Sequence, residues 1–169
     1  MEPIKKKVCM VGAFAVGKTS LVRRYVDDSY SESYQTTIGV TIEKKQVHVG
    51  GQPVNLMLWD TEGEDGLANF KPSYVRGAAG VILVADGCRA ATLDTAIELE
   101  ERIRAETGPL PLILAVNKSD LAGQWEIRDE ALELLRQRGW TYTKTSAKDG
   151  SCVEALFHDL ARKMLQPKE

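Results

Sequence analysis

The sequence predicts an α/β fold in three layers, with six strands in a mostly parallel sheet and about five helices. Six short apolar runs typical of buried strands alternate with segments of helical periodicity. Only Gly50 and Gly51 separate the second and third runs, which predicts a hairpin and therefore one antiparallel strand. Because strands that alternate with helices pair in parallel, we expect helices on both faces of the sheet.

The strand-like runs occupy residues 7–11, 38–49, 54–59, 81–85, 112–116 and 141–144. A first helix-like run, residues 21–26, follows the first strand after a glycine-rich loop. Apolar residues at helical spacing mark three more helices: Leu93, Ala96, Ile97 and Ile103; Ile127, Ala131, Leu134 and Leu135; and Val153, Leu156, Phe157, Leu160, Ala161 and Met164. Ser151 and Glu154 predict a capping box at the start of the last helix.

The composition predicts a single domain over residues 1–169. A chain of 169 residues buries roughly 70% of the surface that its unfolded form exposes. The formal net charge is −2, so no general attraction to nucleic acid or to an anionic membrane is expected. Without a signal peptide or a membrane-length apolar run, we expect a cytoplasmic protein. We also expect a monomer. Residues 166–169 contain no cysteine for a lipid anchor, so either the protein has none or a tail lies beyond this chain.

The cysteines and histidines point to no metal site. Cys9, Cys88 and Cys152 are widely spaced and fit no ligand pattern. We expect Cys9, in a strand, and Cys152, at the start of a helix, to be small buried apolar residues. His48 and His158 fall on the polar sides of their segments, so no catalytic role is expected for them.

The loop between the first strand and the first helix predicts a phosphate site. Residues 12–19 read GAFAVGKT and fit the pattern G-x-x-x-x-G-K-[ST]. Such a loop turns backbone N–H groups toward one point, where the helix N-terminus adds positive charge. Lys18 would supply a cation for the outer phosphates and Thr19 a hydroxyl for Mg²⁺. The alternative is a plain glycine-rich turn, but the context of strand, loop and helix favours a nucleotide diphosphate or triphosphate.

A second signal follows the third strand, where Trp59 leads into Asp60, Thr61, Glu62 and Gly63. An Asp at the end of a core strand beside a phosphate loop can hold Mg²⁺ directly or through water. Gly63 has no side chain to keep its N–H from a terminal phosphate.

Two further signals concern the base of the nucleotide. Residues 117–120 read NKSD after the fifth strand, and the Asp120 carboxylate can accept N–H bonds from guanine N1 and N2. Adenine lacks that pair of donors and would leave the carboxylate unsatisfied, which discriminates strongly. Residues 146–148 read SAK after the sixth strand, where a backbone N–H can meet guanine O6.

With these four motifs in order, the chain resembles the Ras superfamily of small GTPases, and within it the Rab-like branch, over nearly its whole length. Residues 37–40, TIGV, look like the Rab form of the first switch, and residues 59–80 align without gaps to the second switch and the strand after it. The resemblance implies a small-GTPase fold with a phosphate loop, GTP or GDP with Mg²⁺, and effector proteins that contact both switches. It also implies an exchange factor and an activating protein.

The resemblance assigns roles residue by residue. The phosphates would lie on Gly12, Ala15, Val16, Gly17, Lys18 and Ser20, with the N–H of Gly63 on the γ-phosphate. Mg²⁺ would be held by Thr19, Thr37 and Asp60. The base would be held by Asn117, Lys118 and Asp120, helped by Ser146, Ala147 and Lys148, with Tyr30 against the guanine. Tyr34 would cover the phosphates, and the residues expected at the hydrolysis step are Lys18, Thr37, Gly63 and Glu64.

Two positions depart from the family pattern. Glu64 stands where the family usually has a Gln that orients the attacking water. Glu62, in place of a family Ala, and Asp65 add two more carboxylates, and for these two we expect side chains that simply point to water. Phe14 stands where relatives carry a small residue. Its ring either crowds the space through which a partner's arginine approaches, or turns outward. In relatives that use such an arginine, it raises the hydrolysis rate by ~10³–10⁵.

Three functions remain open from the sequence. The first is a molecular switch that hydrolyses GTP slowly, and the second is a GTP-dependent binding module with little or no turnover. The third, a P-loop kinase for a small metabolite, conflicts with the guanine-type segment at residues 117–120.

Overall fold

The computed structural model describes residues 1–30, 39–61 and 70–166. The strands are β1 Ile4–Gly12, β2 Val40–Val49, β3 Gln52–Thr61, β4 Gly80–Asp86, β5 Leu112–Asn117 and β6 Tyr142–Lys144. The α-helices are α1 Lys18–Asp27, α2 Ala91–Thr107, α3 Asp129–Gln137 and α4 Val153–Leu165. Two short 3-10 helices, Pro72–Val75 and Ser119–Gln124, complete the elements of this part of the chain.

The six strands form one sheet in the order β2-β3-β1-β4-β5-β6. β2 and β3 pair antiparallel around Gly50 and Gly51, and every other neighbouring pair is parallel. The predicted fold class and hairpin are therefore confirmed. Because the parallel strands share a direction, the carboxyl ends of β1, β4 and β5 meet at one edge, where Asp86 lies opposite Asn117.

Apolar side chains fill both faces of the sheet. One cluster packs α1 and α4 against it, with Leu21 and Leu156 fully buried and the rings of Tyr25 and Phe157 stacked at 4.1 Å between centroids. The other cluster packs α2 and α3 against the opposite face. The central strands β4 and β5 are buried on both sides, as their near-continuous apolar runs predict, whereas the edge strand β2 is largely exposed.

Three details of the predicted helices are wrong. Helix α3 begins at Asp129, after the buried Ile127, and its core-facing residues are Leu132 and Leu135, whereas Leu134 is 59% exposed. The prediction is confirmed for Ile127 and Leu135, which are buried, and for Ala131, which packs partly buried against the same cluster. It is wrong for Leu134, and it missed Leu132.

The start of α4 also differs from the prediction. Its N-cap is Cys152 in a left-handed conformation (φ 61°), and no described side chain makes a capping hydrogen bond, so the capping box does not form. The N–H of Ser151 donates instead to Asp149 Oδ1 at 2.8 Å. This turn leaves Cys152 exposed rather than buried. Cys9 is buried, as predicted.

Within residues 1–30, 39–61 and 70–166, no helix combines the length and the apolar character needed to cross a membrane.

Candidate nucleotide-binding site

The loop that joins β1 to α1 has the backbone shape of an anion cradle. Ala15 and Gly17 adopt left-handed conformations with φ 60° and 104°, and Gly17 is the N-cap of α1. A Cβ on Gly17 would overlap the side-chain amide nitrogen of Asn117. Both the conformation and the space at this position therefore require glycine.

Side chains from outside the loop hold its carbonyl groups. Three consecutive carbonyls each accept a hydrogen bond: Phe14 from Arg89 Nη2 (2.8 Å), Ala15 from Lys118 Nζ (3.2 Å) and Val16 from Asn117 Nδ2 (3.0 Å). A trans peptide is planar and directs its C=O and N–H to opposite sides. The N–H groups that follow these carbonyls are thus turned to the other side of the loop.

The predicted cation and metal ligands lie together beside this loop. Lys18 is buried, and its Nζ donates to the carbonyl of Gly12 at 3.1 Å. The Thr19 hydroxyl donates to Asp60 Oδ2 at 2.6 Å, although the two residues are 41 positions apart. A hydroxyl and a carboxylate are hard oxygen ligands of the kind that Mg²⁺ prefers, so this donor set fits the metal.

This pair is a small part of a metal shell. Among the described residues, no group of three or more His, Cys, Asp or Glu side chains could hold a metal ion. Mg²⁺ is commonly bound by one or two protein ligands together with substrate phosphates and water. The pair Thr19 and Asp60 suits that mode of binding.

A pocket at the ends of β5 and β6 brings together most of the residues predicted for the base. It is lined by Gly17, Ser20, Tyr30, Asn117, Lys118, Asp120, Leu121, Ala147 and Lys148. All of these except Leu121 were predicted for the nucleotide. The sequence missed Leu121 because an apolar residue after a polar tetrapeptide carries no chemical signature.

Asn117 connects the pocket to the phosphate loop. While its Nδ2 donates to Val16, its Oδ1 accepts from Thr145 Oγ1 at 3.2 Å and from the N–H of Ala147 at 3.3 Å. Ser146 is fully buried and donates through its hydroxyl to Asp120 Oδ1 at 2.8 Å. Ser146 thus orients the carboxylate rather than lining the pocket.

Asp86 is a central residue that the sequence analysis missed. Its side chain is 2% exposed, and its Oδ2 accepts from Lys118 Nζ at 2.8 Å and from Arg89 Nε at 2.9 Å. Burial by itself raises the pKa of Asp86, but these two cations and the N–H of Cys88 outweigh it and hold the pKa below its ordinary value. Its position at the carboxyl end of a buried strand, like that of Asp60, was an available signal.

Arg24 of α1 was also missed, and it holds the loop after β6. Its Nε donates to the carbonyl of Ala147 at 2.8 Å, and its Nη2 donates to the carbonyl of Lys148. An exposed acceptor, Asp28 Oδ1, lies 3.2 Å from Nη1. No sequence pattern could have indicated contacts across 123 positions.

Six residues to which the sequence analysis gave a role or a departure lie outside the described residues: Tyr34, Thr37, Glu62, Gly63, Glu64 and Asp65. Their predicted roles stay predictions. Phe14 is described, and its side chain is 47% exposed.

Comparison with known proteins agrees with this arrangement. A family model described as "Ras family" matches residues 7–166. Ras-related protein Rab-13 of Canis lupus familiaris is 33% identical over 162 residues, covering 94% of this chain and 79% of the relative. RABF2b of Arabidopsis thaliana is 32% identical over 172 residues (99% and 86%), and Rab-1 of Theileria parva is 35% identical over 159 residues (92% and 72%).

Proposed function

Because the chain belongs to the Ras family, in which it is Rab-like, we propose that it is a switch that binds GTP and GDP with Mg²⁺ and hydrolyses GTP slowly. The observation that carries this proposal is the connection from Asn117 to Val16, which joins a base pocket to a phosphate loop. A guanine nucleotide has a base and a row of phosphates, and the protein has a candidate site for each.

Selectivity for guanine rests on Asp120. The carboxylate is oriented by the buried Ser146 hydroxyl and would accept bonds from guanine N1 and N2. An adenine nucleotide lacks this pair of donors and would leave the carboxylate with only its bond from Ser146, a loss that discriminates strongly against adenine. Competition of GDP and ADP for a fluorescent guanine nucleotide measures this selectivity, and equal competition would favour the kinase instead.

At the phosphate end of the proposed site, separate groups of residues would bind the phosphates and Mg²⁺. Gly12, Ala15, Val16, Gly17 and Ser20 would bind the phosphates with Lys18, and Thr19, Thr37 and Asp60 would hold Mg²⁺. The metal supplies charge neutralisation to the phosphate oxygens when it is bound. Gly63 would donate its N–H to the γ-phosphate, and Tyr30 and Tyr34 would cover the base and the phosphates.

We attribute the proposed slow hydrolysis of GTP to Glu64. Hydrolysis adds water across the terminal anhydride of GTP and releases GDP, phosphate and a proton. At ~8 Å and an effective dielectric of ~20, a carboxylate opposes one γ-phosphate charge by roughly 2 kcal/mol. Salt and exposure reduce this repulsion. A glutamate also lacks the amide donor with which a glutamine could orient the water.

Single-turnover phosphate release tests the slow step. Wild-type protein is compared with Glu64→Gln and Phe14→Gly, with and without an activating protein. Glu130→Gln on α3 is the matched control, because it makes the same chemical change on an exposed residue outside the site. We expect Glu64→Gln to raise the rate, while the control stays at the wild-type rate. If neither site substitution raises it, the proposal for the slow step fails.

The second candidate is a binding module in which GTP persists. Glu62, Glu64 and Asp65 favour it, because three carboxylates in four residues could recognise a basic effector protein while they disfavour hydrolysis. The nucleotide recovered after hours with Mg²⁺ distinguishes the two: GDP supports the switch and intact GTP the binding module. Either function would need an exchange factor if the nucleotide dissociates slowly.

A further inference from the structure

Arg89 joins a buried carboxylate to the phosphate loop. It lies in the turn between β4 and α2, where its own N–H donates to the carbonyl of Asp86 at 2.9 Å. Its side chain spans two acceptors, with Nε 2.9 Å from Asp86 Oδ2 and Nη2 2.8 Å from the carbonyl oxygen of Phe14. No local sequence pattern indicates this contact, because Arg89 and Phe14 are 75 positions apart.

The contact fixes one peptide plane of the loop. When the Phe14 carbonyl is held toward Arg89, the N–H of Ala15 in the same plane must point the opposite way. We propose that Arg89 is a positioning residue that sets the Ala15 N–H toward the nucleotide phosphates. This inference rests on the proposed binding of GTP and GDP.

The arrangement explains why the residue is an arginine. The guanidinium is a rigid fork, so it can bond Asp86 and the loop carbonyl at the same time. A lysine ammonium in the same turn presents a single nitrogen, which could bond both acceptors only if it lay within hydrogen-bond distance of both. Lys118 can serve both Asp86 and Ala15 because its Nζ reaches 2.8 Å from one and 3.2 Å from the other.

Asp86 is shared by two cations that each hold the phosphate loop. Its Oδ2 accepts from both cations, and each cation then holds one of two successive carbonyls, those of Phe14 and Ala15. Two neighbouring N–H groups are therefore oriented through one buried carboxylate. A preorganised donor of this kind costs no rearrangement when the anion arrives.

The rate at which GDP leaves the protein tests the proposal. Arg89→Lys keeps the charge but loses the fork, and Arg89→Met removes both. We expect both variants to release a fluorescent GDP analogue about tenfold faster than wild type, the worth of one charge-assisted hydrogen bond. Arg136→Met is the matched control, because Arg136 also pairs with a carboxylate, Glu133, but on the surface of α3.

A spectroscopic signature separates positioning from general weakening. Phe14 and Ala15 form the only Phe-Ala pair in the sequence, so ¹³C-carbonyl phenylalanine combined with ¹⁵N-alanine gives one assigned amide resonance. In the GDP complex we expect the Ala15 amide proton to shift upfield in both Arg89 variants and to stay in place in the control. Melting temperatures show whether each variant is folded, and Arg89→Lys is the milder change should Arg89→Met unfold.

The outcomes divide clearly. Faster release in both variants with a shifted Ala15 resonance supports the proposal. A release rate of Arg89→Lys equal to that of wild type overturns it, since charge alone would then suffice. Faster release with an unmoved Ala15 resonance also overturns it. A wild-type protein that binds no guanine nucleotide overturns the proposed function, whereas normal wild-type binding with unaffected variants overturns only the role of Arg89.

Discussion

The side-chain nitrogen of Asn117 lies 3.0 Å from the carbonyl oxygen of Val16 and fills the space into which a Cβ on Gly17 would project. One amide group thus bonds one residue of the phosphate loop and restricts the next. The base pocket and the phosphate loop are consequently held in register by direct contact between their side-chain and backbone groups.

We expect Gly17→Ala to weaken GDP binding by more than tenfold, because the methyl group would displace Asn117 and break its bond to Val16. Gly17 also has φ 104°, which any other residue adopts only with strain. Titration with a fluorescent GDP analogue measures the affinity.

Gly139→Ala is the matched control for Gly17→Ala. Gly139 has φ 93°, but no described atom lies within 4 Å of the Cβ it would gain. It therefore carries the backbone strain without the collision. Equal loss of affinity in both variants would show that strain, rather than Asn117, is responsible.

A second collision lies behind the site, between Gly87 and the indole ring of Trp125. A Cβ on Gly87 would overlap the ring, while the Gly87 carbonyl accepts the N–H groups of Glu126 and Ile127 at 2.7 and 3.1 Å. We expect Gly87→Ala to lower the free energy of unfolding by about 1–3 kcal/mol, a typical cost of overpacking. Urea unfolding followed by Trp fluorescence measures the change.

For Gly87→Ala, Gly123→Ala is the comparison, because no described atom lies within 4 Å of a Cβ at Gly123. A stability unchanged in both variants would mean that Trp125 moves aside without cost.

The stability that Asp86 provides should depend on pH. Its pKa is held below the ordinary value of about 3.9, so the folded state binds the proton less tightly than the unfolded state does. Its stabilising contribution is complete above pH ~3.9 and is lost as the pH falls through the lower, folded-state pKa. We expect Asp86→Asn to cost about 2–3 kcal/mol in unfolding free energy at pH 7.

Urea unfolding at pH 7, 5, 4 and 3 checks this expectation. The difference between wild type and Asp86→Asn should be constant from pH 7 to 5 and shrink below pH 4. Other carboxylates, such as Asp149 with its lowered pKa, act in both proteins and cancel in the difference. A difference that stays constant down to pH 3 would contradict the assignment.

The three thiols should react at very different rates with a thiolate-specific reagent. Burial, opposed weakly by Lys7, raises the pKa of Cys9 to about 12, so about one part in ten thousand is ionised at pH 8. Burial and the nearby Asp86 carboxylate also raise the pKa of Cys88. Cys152 is exposed.

We therefore expect one fast equivalent in the native protein at pH 8, lost in Cys152→Ser and retained in Cys9→Ser. Absorbance of the released chromophore counts the equivalents. A fast phase that survives in Cys152→Ser would place the reactive thiol elsewhere.

Much of the fold could be predicted from local patterns. Alternating strands and helices, the hairpin at Gly50 and Gly51, and the loop before Lys18 are properties of short segments, and the sequence contains each of them complete. The exposure of Leu134 and the left-handed Cys152 could not be predicted, because tertiary packing set the phase of one helix and the turn before another.

The candidate site divides in the same way. Asn117, Asp120 and Ala147 were predicted because each belongs to a short motif with its own chemistry, and the pocket contains all three. Asp86 was missed although its position at the carboxyl end of a buried strand was a usable signal. Arg89 and Arg24 were missed because their importance lies in contacts with distant segments. Such contacts orient the motif residues, and the chain order of amino acids does not display them.

Val16 and Ala147 belong both to the proposed nucleotide site and to the apolar cluster beneath α4, so a ligand bound there and the folded state would support each other. A nucleotide present at a thousand times its dissociation constant adds about 4 kcal/mol to the folding equilibrium. Much of the protein's resistance to heat and proteolysis would then come from the bound nucleotide. Its abundance in a cell would consequently depend on the supply of guanine nucleotide. If the protein exchanges nucleotide as proposed, the nucleotide-free form would be the one most readily degraded.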